Sequence, residues 1–119
     1  MQLGQIAVIV RDVDRATRFY ADVLGLTLLF RAGELSFFDV GGVRLMLSKP
    51  ETPEFDHPGS VLYYKVDDID RRHQELKARG VEFIDTPHLI ARMPDHELWM
   101  TFFRDTEGNT LALMSERRA

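Results

Sequence analysis

Two of the four histidines in this 119-residue chain fall in one short stretch. It reads Pro87-His88-Leu89-Ile90-Ala91-Arg92-Met93-Pro94-Asp95-His96-Glu97-Leu98-Trp99. An imidazole beside a carboxylate can move protons near neutral pH. His88, His96 and Glu97, with Gln5, also have the donor atoms for a nonstandard divalent metal site. The competing reading is a solvated loop anchored by Trp99, long enough to serve as a lid. His57, in a proline-rich stretch, and His73, in a helical pattern, read as structural or solvent-facing.

Other chemistries are excluded by what is missing. The chain has no cysteine, so disulfides, thiolate metal sites and cysteine nucleophiles are ruled out. There is no phosphate loop, no Gly-x-Ser-x-Gly elbow and no His-Glu-x-x-His. Net charge is −4, from 15 basic and 19 acidic residues, which gives no basic surface to recommend nucleic acid as a partner. A 45% hydrophobic and 29% charged composition is ordinary for a globular protein. The longest unbroken apolar run, Ile6 to Val10, is far below the roughly 20 residues that span a bilayer. The start lacks a secretion signal, so the expectation is a cytoplasmic protein with no membrane partner.

The elements that must position such residues are legible from a repeat. Val10-Arg11-Asp12-Val13-Asp14-Arg15 returns as Val66-Asp67-Asp68-Ile69-Asp70-Arg71, with Val10 and Val66, Asp12 and Asp68, and Arg15 and Arg71 each 56 residues apart. Each copy follows an apolar strand and opens a helix, with Asp12 or Asp14, and Asp68 or Asp70, as caps. Val13, Ala16, Phe19, Tyr20, Val23 and Leu24 form one apolar stripe, and Gly25 suits a left-handed helix stop. Ile69, His73 and Leu76 do the same before Gly80. Strands are predicted at 5–10, 26–30, 35–40, 43–47, 61–66, 81–84, 98–104 and 110–114. A ninth, 89–93, is weakened by the flanking Pro87 and Pro94. Hairpins turn at Gly41-Gly42 and at Asp105-Thr106-Glu107-Gly108-Asn109. Gly42 and Gly108, Leu45 and Leu111, and Leu47 and Leu113 are each 66 apart, so the second half carries an insertion around 86–97. The reading is one domain, 1–119, of two β-α-β-β-β modules: 1–48, a linker at 49–60, and 61–119.

This pattern resembles the vicinal-oxygen-chelate superfamily of glyoxalases, bleomycin-resistance proteins and extradiol dioxygenases. The resemblance rests on Val10-Arg11-Asp12-Val13-Asp14-Arg15, Phe19-Tyr20, Val23-Leu24-Gly25-Leu26 and Phe103-Arg104-Asp105-Thr106-Glu107-Gly108-Asn109, and it covers almost the whole chain. It implies an α+β fold in which paired β-α-β-β-β modules form a curled mixed sheet around a central cleft, the glyoxalase/bleomycin-resistance fold. It also implies a homodimer. Metal enzymes of the superfamily place one ligand near the start of each module's first strand and one in each last strand. By spacing, those positions here are Gln5, Val61, Met46 and Ala112. Valine and alanine have no donor atom, and thioether is a poor ligand for a hard cation. The expectation is therefore no metal and no cofactor.

Strand alternation from those four positions gives the face the resemblance assigns to the cleft. It carries Gln5, Ala7, Ile9, Arg44, Met46, Ser48, Val61, Tyr63, Lys65, Ala112 and Met114, and the opposite parity is nearly all apolar. Arg44 could hold an anionic group as a two-pronged fork or sit at a strand end as a surface arginine. Tyr63 could be a general acid or a packing residue, and Met46 and Met114 read as adaptable filler. The candidate ligand-binding residues are thus Gln5, Arg44, Met46, Ser48, Val61, Tyr63, His88, His96, Trp99, Ala112 and Met114. Three functions fit. One is a metal-free small-molecule binder of the bleomycin-resistance kind. The second is a lyase, isomerase or dioxygenase using the nonstandard set His88, His96, Glu97 and Gln5. The third is an assembly or regulatory module with a vestigial cleft.

Overall fold

Both helices begin where an aspartate can satisfy their first free amides. The Arg15 amide donates to Asp12 Oδ1 at 3.0 Å and the Arg71 amide to Asp68 Oδ1 at 3.1 Å. The two caps share extended backbone angles, φ −119° and ψ 98° against φ −123° and ψ 98°. The computed structural model describes residues 1–118. They divide into two compact units, Met1–Gly59 and a second beginning at Ser60.

In the first unit, β1 (Gln5–Ile9) leads to α1 (Val13–Arg18), and the chain continues as one π-helical turn over Phe19–Val23. Gly25, at φ 77°, then stops the helix. Strands β2 (Thr27–Ala32), β3 (Leu35–Val40) and β4 (Val43–Ser48) follow. The sheet order is β1-β4-β3-β2, with β1 parallel to β4 and the other pairs antiparallel. Gly41 and Gly42, at φ 58° and 91°, make the β3–β4 turn, a conformation that residues with a Cβ resist. One sheet face is covered by α1. There Phe38, Leu45 and Leu47 are buried with Ala16 and Tyr20. Two hydroxyls share this interior. The Thr17 hydroxyl donates to the Val13 carbonyl at 2.6 Å, so the fully buried Ser36 is the donor in the contact between the two hydroxyls.

The second unit repeats the plan. It contains β5 (Leu62–Lys65), α2 (Ile69–Ala78), β6 (Glu82–Phe83), β7 (His88–Arg92), β8 (His96–Arg104) and β9 (Thr110–Arg118). The order is β5-β9-β8-β6, with β7 also on β8 and β5 parallel to β9. The register reproduces both sequence offsets. Ala7 pairs with Met46 as Tyr63 pairs with Ala112, and the Val10 amide donates to the Ser48 carbonyl as the Val66 amide does to Met114. Ile69, Leu76, Phe103, Leu111 and Leu113 form the interior under α2. His73 is structural: it is buried and lies 4.3 Å from the Phe83 ring. His57 is exposed, with Nδ1 3.1 Å from the Pro58 carbonyl.

Two expectations change. The strand expected at 89–93 forms, so the stretch 86–97 is not the solvated loop of the competing reading. Its core is β7, because Pro87 and Pro94 sit just outside the strand and remove no ladder donor from it. The Met93 amide closes the β7–β8 turn on the His96 carbonyl at 2.8 Å. The strand predicted at 81–84 shrinks to Glu82–Phe83, since β7 takes over the edge of β8 beyond it. The turn at 105–109 is held by the buried Asp105. Its Oδ1 accepts the amides of Glu107 and Asn109 at 2.8 Å each, and its Oδ2 accepts Asn109 Nδ2 at 2.9 Å.

Candidate functional site

In each unit the helix covers one sheet face, and the alternate side chains stand on the other. In the first unit that open face gathers Gln5, Arg44, Met46, Phe37 and Phe30. The register sets Gln5 beside Arg44, and Ala7, Met46 and Phe37 in one row. Arg44 Nε donates to Gln5 Oε1 at 2.7 Å, and Gln5 Nε2 lies 3.7 Å from Met46 Sδ. The guanidinium carbon of Arg44 stands 5.4 Å from the Phe37 ring centre, and Phe30 stacks on Phe37 at 4.6 Å. Gln5 and Phe37 thus orient Arg44. Its two terminal nitrogens have no hydrogen-bond or ion-pair partner among the described residues. Ser48 is buried at the end of β4 and its carbonyl takes the Val10 amide.

In the second unit the equivalent row is Tyr63, Ala112 and Phe102. Tyr63 and Phe102 are two strands apart, about 10 Å by strand spacing, yet their ring centres are 6.0 Å apart. The rings lean together over Ala112, which is fully buried. The next row runs Lys65, Met114, Met100 and His88 across four strands. Val61 precedes β5 and is half-buried.

The two clustered histidines differ. His88 Nδ1 lies 2.8 Å from the Thr86 carbonyl, which can only accept, so this nitrogen carries the proton. Asp85 Oδ2, 4.0 Å away, favours the same arrangement. In the neutral ring Nε2 then offers a lone pair, and the imidazole is 6.4 Å from Phe102. His96 has both nitrogens engaged, Nδ1 with Asp95 at 2.7 Å and Nε2 with Glu116 at 3.0 Å. Lys65 pairs with the same Glu116. The Lys65 ammonium, then His96, hold the Glu116 carboxyl below the usual carboxylate range, and Glu116 holds Lys65 above its ordinary value. Lys65 is thereby kept a cation and is no amine nucleophile.

Trp99 and Glu97 stand on the helix side of β8, sharing the parity of the buried Thr101 and Phe103. Trp99 Nε1 donates to Glu97 Oε1 at 3.2 Å, and Arg117 lies over the indole at 4.3 Å while also pairing with Asp70 of α2. Trp99 therefore leaves the candidate set as a packing residue. His96 and Glu97 point to opposite faces, so the proposed nonstandard metal set is not assembled. Among the described residues no group of three or more His, Asp or Glu could hold a metal ion. The four positions at which the superfamily places ligands fit a metal no better. Ala112 and Val61 have no donor atom, and Gln5 Oε1 already faces the Arg44 cation, which repels a metal ion.

Phe37, Phe30, Phe102, Met100 and Glu116 complete these faces but were not among the candidates. Alternation along the first and last strands of each module does not reach the middle strands. The same count along β3 and β8 would have found Phe37 and Phe102.

Two mixed sheets, each carrying a helix on one face, are the architecture of the glyoxalase/bleomycin-resistance fold. Residues 2–113 match the Glyoxalase/Bleomycin resistance protein/Dioxygenase superfamily, and the chain belongs to it. It is 28% identical to a Bacillus subtilis (strain 168) protein named "Uncharacterized protein YraH", over 95% of this chain and 97% of that one. It is 29% identical to a glyoxylase-like domain-containing protein of Didymella fabae, over 94% and 91%. Among solved structures it is similar to a superfamily member from Sphaerobacter thermophilus DSM 20745, with TM-score 0.78, 25% identity and 98% of both chains covered. The lactoylglutathione lyase of Agrobacterium tumefaciens gives TM-score 0.74 at 24% identity, covering 96% and 92%, a likeness of fold alone.

Proposed function

We propose that this chain binds a small molecule bearing an anionic group on a flat apolar body, and does so without the divalent metal of its enzymatic relatives. The observation that carries this reading is Arg44. A guanidinium lying against an aromatic ring, fixed at Nε by Gln5, leaves two terminal nitrogens in the geometry that receives a carboxylate bidentately. Phe37, Phe30 and Met46 beside it supply apolar contact.

The test is a titration of the purified protein with 2-naphthoate and with the neutral 2-naphthamide. The acid should bind roughly tenfold tighter, in keeping with about 1.5 kcal/mol for a charge-assisted hydrogen bond. Equal affinities would remove the role given to Arg44.

We also propose a homodimer. Strand β2 is the outer strand of its sheet, and Leu28, Leu29 and Phe30 are 41%, 49% and 49% exposed on it. Exposed apolar side chains on an unpaired strand favour association.

A further inference from the structure

The lone pair on His88 has no role in the anion reading above, and it lies in the other unit. We propose that the open face of the second sheet binds a flat aromatic molecule carrying one N–H or O–H donor, with His88 Nε2 as the acceptor. Three observations converge on it. The Thr86 carbonyl at 2.8 Å fixes the proton on Nδ1, so the acceptor is set before any ligand arrives. Nε2 has no partner among the described residues, and His88 remains 44% exposed at its side chain. The surface beside it is aromatic and sulfur-bearing. Phe102 lies 6.4 Å from the imidazole, Tyr63 meets Phe102 edge-on, and Met100 is the register partner of His88. Rings and thioethers make favourable contacts with an aromatic ligand. A donor on the ligand's edge then completes His88. The neighbouring polar group, His96, does not compete, because Asp95 and Glu116 occupy both its nitrogens. This site requires nothing of Arg44.

Indole and benzofuran test it directly, being alike in shape and differing in the donor. The full-length protein should bind indole about tenfold tighter than benzofuran, as one added hydrogen bond implies. His88→Phe keeps an aromatic surface but removes the acceptor, so the ratio of indole to benzofuran affinity should fall to about one. Nitrogen-15 NMR of the unaltered protein gives a second measurement that does not depend on the variant folding. His88 Nε2 should be unprotonated, and its resonance should move with indole but not with benzofuran. Equal affinity for the two probes, no saturable binding of either, a preference that survives His88→Phe, or a protonated Nε2 would each overturn the proposal.

Discussion

Arg44 shows how a common surface residue acquires a function from its neighbours. Its charge alone would be screened by water. The Gln5 oxygen and the Phe37 ring take away its freedom to rotate, so less entropy is lost when an anion binds. Lysine would keep the charge but neither the flat face nor the fork. Arg44→Lys should therefore weaken 2-naphthoate binding several-fold, with thermal stability little changed, as calorimetric titration beside a melting curve would show. Tyr64 makes a different point. Its hydroxyl is buried without a hydrogen-bond partner, and burial, with the Asp105 carboxylate adding to it, pushes the phenol well above its ordinary value. The folded protein thus keeps Tyr64 neutral while the unfolded chain ionises near pH 10. The sign follows: stability is intact below about pH 10 and declines above it. Tyr64→Phe should be neutral or stabilising by up to about 1 kcal/mol at pH 7. It should also flatten the alkaline decline, which urea unfolding at pH 7 and pH 10.5 would reveal.

At the scale of elements, the residues that identify the superfamily turn out to be structural. Asp12 and Asp68 cap helices, and Asp105 ties a turn. Removing either cap by Asp12→Ala or Asp68→Ala should cost about 1 kcal/mol of stability, measurable by urea unfolding, and leave ligand affinity unchanged. These features were legible in the sequence because each depends on a few adjacent residues. The offsets of 56 and 66 matched equivalent positions of the two modules, and the ladders β1–β4 and β5–β9 repeat with the same register at those offsets. What the sequence did not disclose depends on neighbours that are distant along the chain. The strand at 89–93 was weakened in the sequence by Pro87 and Pro94, and its ladder with β8 is what forms it, as His88–Arg92. Trp99 looked like a ligand contact until the alternation of β8 set it on the helix side, with Arg117 over its ring. Carboxylates near both His88 and His96 in the sequence concealed opposite fates: His88 Nδ1 meets the Thr86 carbonyl and leaves Nε2 open, whereas Glu116, across the sheet, takes His96 Nε2.

For the whole molecule, the superfamily is established, while the positions at which the resemblance places metal ligands hold Gln5, Met46, Val61 and Ala112. A fold persists when its caps, turns and interior persist, while a metal site is lost with two or three side chains. Among the described residues no helix is long and apolar enough to cross a membrane. If β2 joins two copies, sedimentation of the wild-type protein should show a dimer, and Leu29→Glu should shift it toward monomer; an unchanged distribution would reject that interface. The central claim is an anion held by Arg44 in the absence of metal. It is tested most directly by titrating 2-naphthoate into exhaustively chelated wild-type protein and Arg44→Ala, each with and without added Ni²⁺. The chelated wild type should bind saturably with no gain from Ni²⁺, and the variant should bind at least tenfold more weakly, about 1.4 kcal/mol or more. Binding that appears only with the metal, or that survives Arg44→Ala unchanged, would contradict it.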